Sequence, residues 1–563
     1  MRILFLTRSF NSLAQRLYLE LSAAGHELAV EFDISDAVTL EAAALFRPDL
    51  VIAPFLKRAI PEALWRHTVC LVVHPGVVGD RGPSALDWAI SEGVSQWGVT
   101  VLQANAEMDA GAVWASETFA MREASKSSLY RREVTDAALR AVHRAVAHFS
   151  RHGATPPPAP PPAPGAGWRP LMPQSQRGID WARDDSATVL RKLRAADGAP
   201  GVLDSLFGVP CHLFDGHAGP ADTRHPPGQI IGRRDEALLR ATRDGAVWIG
   251  HVRRVDGDGG FKLPAALAFA EQARAVPEWP PPATGACEIR HQVLCGVGVL
   301  RFPFYNGAMG TAQCERLNAA LRDALRRPER VLMLCGGPEF WSNGLHLNVI
   351  EAADSPADES WRNINAIDDL TRTLIEATDR WVIAALQGNA GAGGVFMALA
   401  ADAVWARRSV VLNPHYKNMG NLYGSEYWSY LLPRRLRGAG VDEVMGRRLP
   451  LSAARAAELG LLDAVFGDSV DEFMALALER AAALAASPAL SQRLAHKQQQ
   501  RQRDEATRPL AAYREAELAR MRRNFYGFDP SYHIARSNFV HRVLPSWTPR
   551  HLASHRRREA PAG

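Results

Sequence analysis

Short runs of Ile, Leu and Val alternate with helical stretches twice along this chain, once on each side of a proline-rich interruption. That doubling constrains the fold more than any other feature. Residues 2–7, 28–32, 49–53 and 69–73 form the first set of runs, with amphipathic patterns at Leu13–Ala23 and Val38–Phe46 between them. Strands alternating with helices at this spacing predict a parallel, doubly wound sheet. The first strand-to-helix turn, Thr7-Arg-Ser-Phe-Asn-Ser, has no glycine, so the dinucleotide fingerprint is absent. Ligands of such sheets collect at the carboxyl ends of the strands, and His74 directly follows the fourth run.

The interruption, Thr155-Pro-Pro-Pro-Ala-Pro-Pro-Pro-Ala-Pro, reads as a semi-rigid, solvated spacer over 155–174. Residues 175–275 follow with Ile179-Asp-Trp, a helix near 186–196 and short strands around 211–214, 229–232 and 246–255, which predicts a small β-rich domain. Its Asp256-Gly-Asp-Gly-Gly is turn chemistry, since an EF-hand would need a later Glu that is missing. The alternation resumes at 286 with a strand at 292–302, a helix at 311–326, strands at 330–335 and 381–386, and a helix at 359–379 between the last two. The expected division is 1–154, the spacer, 175–275, 286–475, and a helical extension over 476–563 whose Arg/Gln-rich faces (491–523) face solvent.

A chain of 563 residues is too long for one core. Its 47% hydrophobic and 22% charged residues are those of a soluble globular protein. No apolar run reaches bilayer length, and Met-Arg-Ile-Leu-Phe-Leu at the start is a buried strand rather than a signal peptide. Six scattered cysteines form no Cys-x-x-Cys pair and no metal-ligand cluster, which predicts reduced thiols, a cytoplasmic address and no metal. A net charge of +5 and an Arg-rich end, His555-Arg-Arg-Arg-Glu, point to a solvated tail rather than a nucleic-acid arm.

Two constellations carry chemistry. The first is His74 with Asp109 of Glu-Met-Asp-Ala-Gly-Ala-Val, an imidazole and a carboxylate suited to acid–base work at a tetrahedral oxyanion. His74-Pro-Gly to Arg81-Gly-Pro, Asp87-Trp-Ala-Ile, Gly98-Val-Thr-Val and Met108-Asp-Ala-Gly-Ala-Val resemble the methionyl-tRNA and glycinamide ribonucleotide formyltransferases over 1–150. Residues 175–275 resemble the carboxy-terminal domain of the tRNA-modifying branch. The resemblance implies a Rossmann-like domain, an OB-like second domain and 10-formyltetrahydrofolate as donor. It also implies His74 and Asp109 as the acid–base pair, and Gln103, Arg81 and Phe55 at the folate. That family usually carries Asn two residues before the histidine, where this chain has Val72; Gln103 is the candidate replacement as oxyanion donor.

The second constellation is the glycine-rich pair Phe340-Trp-Ser-Asn-Gly-Leu-His-Leu and Gln387-Gly-Asn-Ala-Gly-Ala-Gly-Gly, whose unobstructed N–H groups suit a thioester carbonyl. With Ala401-Asp-Ala-Val-Trp-Ala and the Leu451–Asp463 stretch, residues 288–470 resemble the crotonase (enoyl-CoA hydratase/isomerase) superfamily, a ββα spiral. The resemblance implies oxyanion N–H groups at Leu345 and Gly393. The hydratase glutamates fall on Phe396 and near His415, so hydration is not expected. The polar aromatic block Asn413–Tyr430 stands in their place, and Glu426, Tyr416 and then His415 are the proton-handling candidates.

The fusion of the two halves resembles the hydrogenase maturation factors HypX (HoxX) over nearly the whole chain. That resemblance implies formyl transfer from 10-formyltetrahydrofolate to coenzyme A and decarbonylation of formyl-CoA to carbon monoxide, the diatomic ligand of nickel–iron hydrogenases. Arg8, Arg131 and Gly344 are the expected coenzyme A contacts. The implied partners are small-molecule substrates, with transient contact to hydrogenase maturation proteins and none to nucleic acid or membrane. Competing expectations are a formyl- or acyl-CoA hydrolase, an amine formyltransferase, or a formyltransferase with a non-catalytic crotonase scaffold.

Overall fold

The computed structural model describes the chain except residues 222–223, 256–259, 282–284, 437–439 and 557–563. Four residues of the Asp256 turn, and the Arg-rich end beyond Arg556, therefore lie outside the described residues. The chain forms two compact units, Met1–Ala286 with Leu544–Gly563, and Cys287–Val543.

The first unit opens with a six-stranded sheet: β1 (Arg2–Thr7), β2 (Glu27–Phe32), β3 (Leu50–Phe55), β4 (Cys70–His74), β5 (Gln96–Gln103) and β6 (Val113–Ala120), in the order β2-β1-β3-β4-β5-β6. The first four strands are parallel and match the apolar runs. The sheet is completed by antiparallel pairing of β4 with β5 and β5 with β6, which the alternation did not foretell. The spacer is tied to the fold: Ala163 N–H donates to Val78 O at 2.8 Å, and Arg169 N–H to Arg81 O at 2.9 Å. Its second half is thus anchored on the loop after His74.

A five-stranded antiparallel run, Val202–Leu206, Val209–Ala218, Ala246–Arg254, Ala237–Ala241 and Ile230–Arg234 in sheet order, follows under the helix Ser186–Ala196. Two of these strands escaped the sequence reading because they carry Asp204 and Arg240. Inside the fold the Arg240 guanidinium lies 3.9 Å over the Trp181 ring and bonds Asp204 at 3.2 Å, so its charge is satisfied where an apolar residue was expected.

The end of the chain returns to the first sheet and covers its β2 edge. Val30 N–H donates to Leu552 O at 3.0 Å, and Phe32 N–H to Thr548 Oγ1 at 2.7 Å. Buried Glu31 receives His555 Nε2 (2.9 Å), Arg556 Nε (2.8 Å) and the Thr548 hydroxyl. The expected extension is therefore split, with helices Val470–Ala486, Leu490–Thr507, Leu510–Tyr526 and Ser531–Val540 in the second unit and the terminal segment in the first.

In the second unit each turn of a spiral gives one strand to each of two sheets. Val331–Cys335, Trp381–Leu386 and Ala403–Ala406 line the larger, while Phe340–Ser342, Asn389–Gly391 and Val411–Asn413 line the smaller. The strand expected at 292–302 is a hairpin, Arg290–Leu294 against Val297–Arg301, because Cys295 and Gly296 take φ of 51° and 76° and turn the chain. The last helices are not wholly solvated: Leu510, Leu518, Met521 and Phe525 join the main core. Among the described residues no single helix is long and apolar enough to cross a membrane, and no group of three His, Cys, Asp or Glu is arranged for a metal ion.

Candidate active sites

His74 ends β4 with its imidazole buried. Two carboxylates hold it, Asp109 Oδ2 at 3.6 Å from Nδ1 and Asp80 Oδ2 at 2.9 Å from Nε2. The loop permits this because Gly76 has no side chain; a β-carbon there would lie 2.4 Å from His74 Nε2 and 2.5 Å from Asp80 Oδ2. Asp109 takes a left-handed φ of 55° and accepts the Gly82 N–H at 3.1 Å, which aims its carboxylate at the ring. Asp80, inside the His74-to-Arg81 motif, is a partner of the imidazole that the sequence pattern did not single out. A carboxylate six residues from a strand-end histidine, across two glycines, was the available signal.

The other first-site candidates divide. Arg81 pairs with exposed Glu107 at 2.7 Å, on the rim beside Asp109. Phe55 ends β3; its carbonyl accepts the Arg8 N–H at 2.8 Å and its ring meets Tyr130 edge-on at 6.4 Å. Phe55, Arg8 and Tyr130 thus share the carboxyl end of the sheet, and Arg131 follows in a π-helical turn, Tyr130–Val134, a local form frequent at functional positions. Gln103 does not sit where its proposed role needs it. In the β4–β5 register it opposes Leu71, whereas His74 opposes Thr100 and Val72 opposes Leu102. Side chains alternate between faces, so Gln103 lies on the face away from His74 and Val72, with Oε1 accepting from Trp114 Nε1 at 3.2 Å. It cannot supply the donor missing at Val72.

In the second unit Leu345 and Gly393 come from the two glycine-rich segments. Gly344–Leu345 pairs in parallel with Ala308–Met309, and buried Asn363 fixes that pairing by accepting the His346 N–H at 3.2 Å and donating to Met309 O at 2.9 Å. Gly344, with φ of 77°, lies so close to the second segment that a β-carbon on it would be 3.3 Å from Gly393 N. Gly393 opens the helix Gly393–Leu399, whose first N–H groups have no intrahelical acceptor.

Glu426 faces this turn. A β-carbon on Gly393 would lie 2.1 Å from Glu426 Oε1. The other carboxyl oxygen accepts Tyr416 OH at 2.5 Å and Ser425 N–H at 3.2 Å. The Tyr416 ring stacks on Phe396 at 5.4 Å, and a β-carbon on Gly424 would lie 2.0 Å from Tyr416 Cε2, so the ring packs directly against both residues. Burial, and then the negative charge of Asp368, push Glu426 upward from the usual carboxylate range; burial and the Glu426 charge push the Tyr416 phenol up. His415 is buried next to Tyr416, and its backbone N–H donates to Asn413 O at 2.8 Å.

The second unit also holds buried carboxyls absent from the sequence reading. Asp368 accepts Glu426 N–H and Ser425 Oγ, each at 2.8 Å, and Glu517 accepts Ser429 N–H at 2.8 Å. Both lie among buried apolar residues at helical spacing, Ile364, Ile367 and Leu374 in one helix and Leu510, Leu518, Met521 and Phe525 in the other, and an acid at such a position was the signal.

The fold and the two sites define a formyltransferase joined to a crotonase-type domain. Family models agree: formyl transferase over residues 20–146, the formyl transferase C-terminal domain over 172–259, and enoyl-CoA hydratase/isomerase over 299–548. The hydrogenase maturation factor HoxX of Bradyrhizobium diazoefficiens is 55% identical over 562 residues, covering 100% of this chain and 98% of that protein. The crystal structure of HypX from Aquifex aeolicus in complex with tetrahydrofolic acid superposes with a TM-score of 0.95 at 47% identity, covering 99% of each chain. Methionyl-tRNA formyltransferase of Variovorax paradoxus is 26% identical over 225 residues, 39% of this chain and 69% of its own. The chain belongs to the HypX/HoxX family of hydrogenase maturation factors.

Proposed function

We propose that this maturation factor makes carbon monoxide in two steps: transfer of formyl from 10-formyltetrahydrofolate to the thiol of coenzyme A, then cleavage of the formyl thioester to carbon monoxide and coenzyme A. In the first step His74, oriented by Asp109 and Asp80, takes the thiol proton as sulfur attacks the formyl carbon, and returns it to the departing folate nitrogen. A thiol needs less activation than an amine.

In the second step the N–H groups of Leu345 and Gly393 receive the thioester oxygen. A formyl thioester has no α-carbon, so enolate formation is closed to it. Glu426, steadied by Tyr416, takes the formyl proton while the carbon–sulfur bond breaks, carbon monoxide leaves, and the same proton passes to the thiolate. Atoms and charge balance with no added reactant. Arg8, Arg131 and Gly344 are the proposed coenzyme A contacts, with Phe55 and Arg81 beside the folate.

The observation carrying this reading is the Glu426 carboxyl over the Gly393 turn, with its partner Tyr416 stacked on Phe396. The test incubates the pure chain with 10-formyltetrahydrofolate and coenzyme A, with deoxyhaemoglobin trapping carbon monoxide. Gas equal to the tetrahydrofolate released supports it. Formate or an N-formyl product overturns it, as does unchanged gas yield in Glu426→Gln.

A further inference from the structure

Glu426 and Tyr427 take φ of 59° and 56° in succession, a left-handed pair that side chains resist and that persists only where the surroundings enforce it. Two elements enforce it here. From the helix Pro356–Glu376, Asp368 accepts Glu426 N–H and Ser425 Oγ, each at 2.8 Å. From the helix Leu510–Tyr526, Glu517 accepts Ser429 N–H at 2.8 Å and Ser429 Oγ at 2.5 Å, and reaches Ser425 Oγ at 3.4 Å.

Ser425 therefore lies between two carboxyls, and Glu426 is the third; all three are at most 1% exposed. The positive charge beside them is Arg514, 3.8 Å from Asp368 and itself paired with Asp369 at 2.5 Å. Among the described residues, the other titratable groups around the cluster include the Tyr416 and Tyr427 phenols, the Cys314 thiol, buried His415 beside Tyr416 and, further along the Asp368 helix, Arg372. Buried carboxyls packed this closely do not all ionise together.

We propose that Asp368 and Glu517 are positioning residues for Glu426: they clamp its turn from two helices and enclose it in one cluster of buried carboxyl groups. The inference rests on the reading of Glu426 as proton carrier. Burial and the neighbouring carboxylates act in one direction, raising Glu426 and bringing Glu517 to about 8. A carrier that must accept a proton from carbon and return it to sulfur gains from a proton affinity near the working pH.

The experiment titrates full-length protein by infrared difference spectroscopy, with the protonated-carboxyl band of Glu426 identified by its loss in Glu426→Gln. Asp368→Asn and Glu517→Gln keep the hydrogen-bonding shape and remove one ionisable group each from the cluster. Each is expected to lower the midpoint of that band by about one pH unit or more. The acid limb of carbon monoxide release from supplied formyl-CoA should move the same way. Unchanged midpoints in both folded variants overturn the inference, and if one variant does not fold the other decides. Wild-type gas release with unmoved midpoints sinks the clamp but keeps the carrier. Moved midpoints without gas from wild type keep the clamp and sink the carrier.

Discussion

Glu426 Oε1 stands over the α-carbon of Gly393, so close that a β-carbon there would meet it at 2.1 Å. One carboxyl oxygen thus looks at the backbone N–H turn, while the other is held by Tyr416 and Ser425. Gly393 has no positive φ to forbid a side chain, so Gly393→Ala is a purely steric probe. It is expected to lower carbon monoxide release about 100-fold or more. Folate turnover at the first site should continue, read by tetrahydrofolate absorbance beside the haemoglobin trap.

Asp80 holds His74 at 2.9 Å and Asp109 holds it at 3.6 Å, on opposite ring nitrogens. Asp80→Asn offers the imidazole an amide in place of a charge. The expected loss in formyl transfer is on the order of 100-fold, with KM for the folate within a few-fold. Single-turnover kinetics beside Asp109→Asn check it. A wild-type rate in Asp80→Asn would make Asp80 a structural partner of the loop.

Glu31 ties the terminal segment to the first sheet. Burial pushes its carboxyl up, but His555, Thr548 and Arg556 outweigh burial and hold it below the usual 4.5. With the folded value lowered, its stabilisation is fully present above pH 4.5 and is lost as pH falls through the folded value. Glu31→Ala, which strands those donors, should cost about 3 kcal/mol or more at pH 7. Thermal melts from pH 3 to 7 should show the gap to wild type closing at the acid end.

Glu517 has the opposite sign. Its carboxyl rises from 4.5 to about 8, mainly through burial and then the charge of Asp368. The folded state binds the extra proton, so this group's stabilisation is present below pH 4.5 and is lost progressively as pH rises toward 8. Glu517→Gln mimics the protonated form. Its melting temperature should overtake that of wild type between pH 5 and 9, by an amount worth about 2 kcal/mol or more. Parallel melting curves at all pH values would contradict it.

How much was legible depended on whether the signal was local. The four parallel strands of the first sheet, the helix Ser186–Ala196 and the spiral strands Val331–Cys335 and Trp381–Leu386 follow from apolar period and turn residues, and they appear where that pattern put them. The strands with Arg240 and Asp204 were hidden because their charges pair only in the folded domain.

By itself the sequence determined which segments are strands or helices, where backbone N–H groups stand uncovered, and which motifs mark a formyltransferase and a crotonase-type domain, because burial period and glycine chemistry are properties of neighbouring residues. Tertiary structure alone decided that Gln103 turns away from His74, since one step of strand register selects the sheet face. It alone brought Asp368 and Glu517 behind Glu426, from 58 and 92 residues away along the chain to Glu426 and Ser425 respectively. Contacts across such separations arise only when helices dock, and the burial that creates them is also what moves the proton affinities on which the chemistry depends.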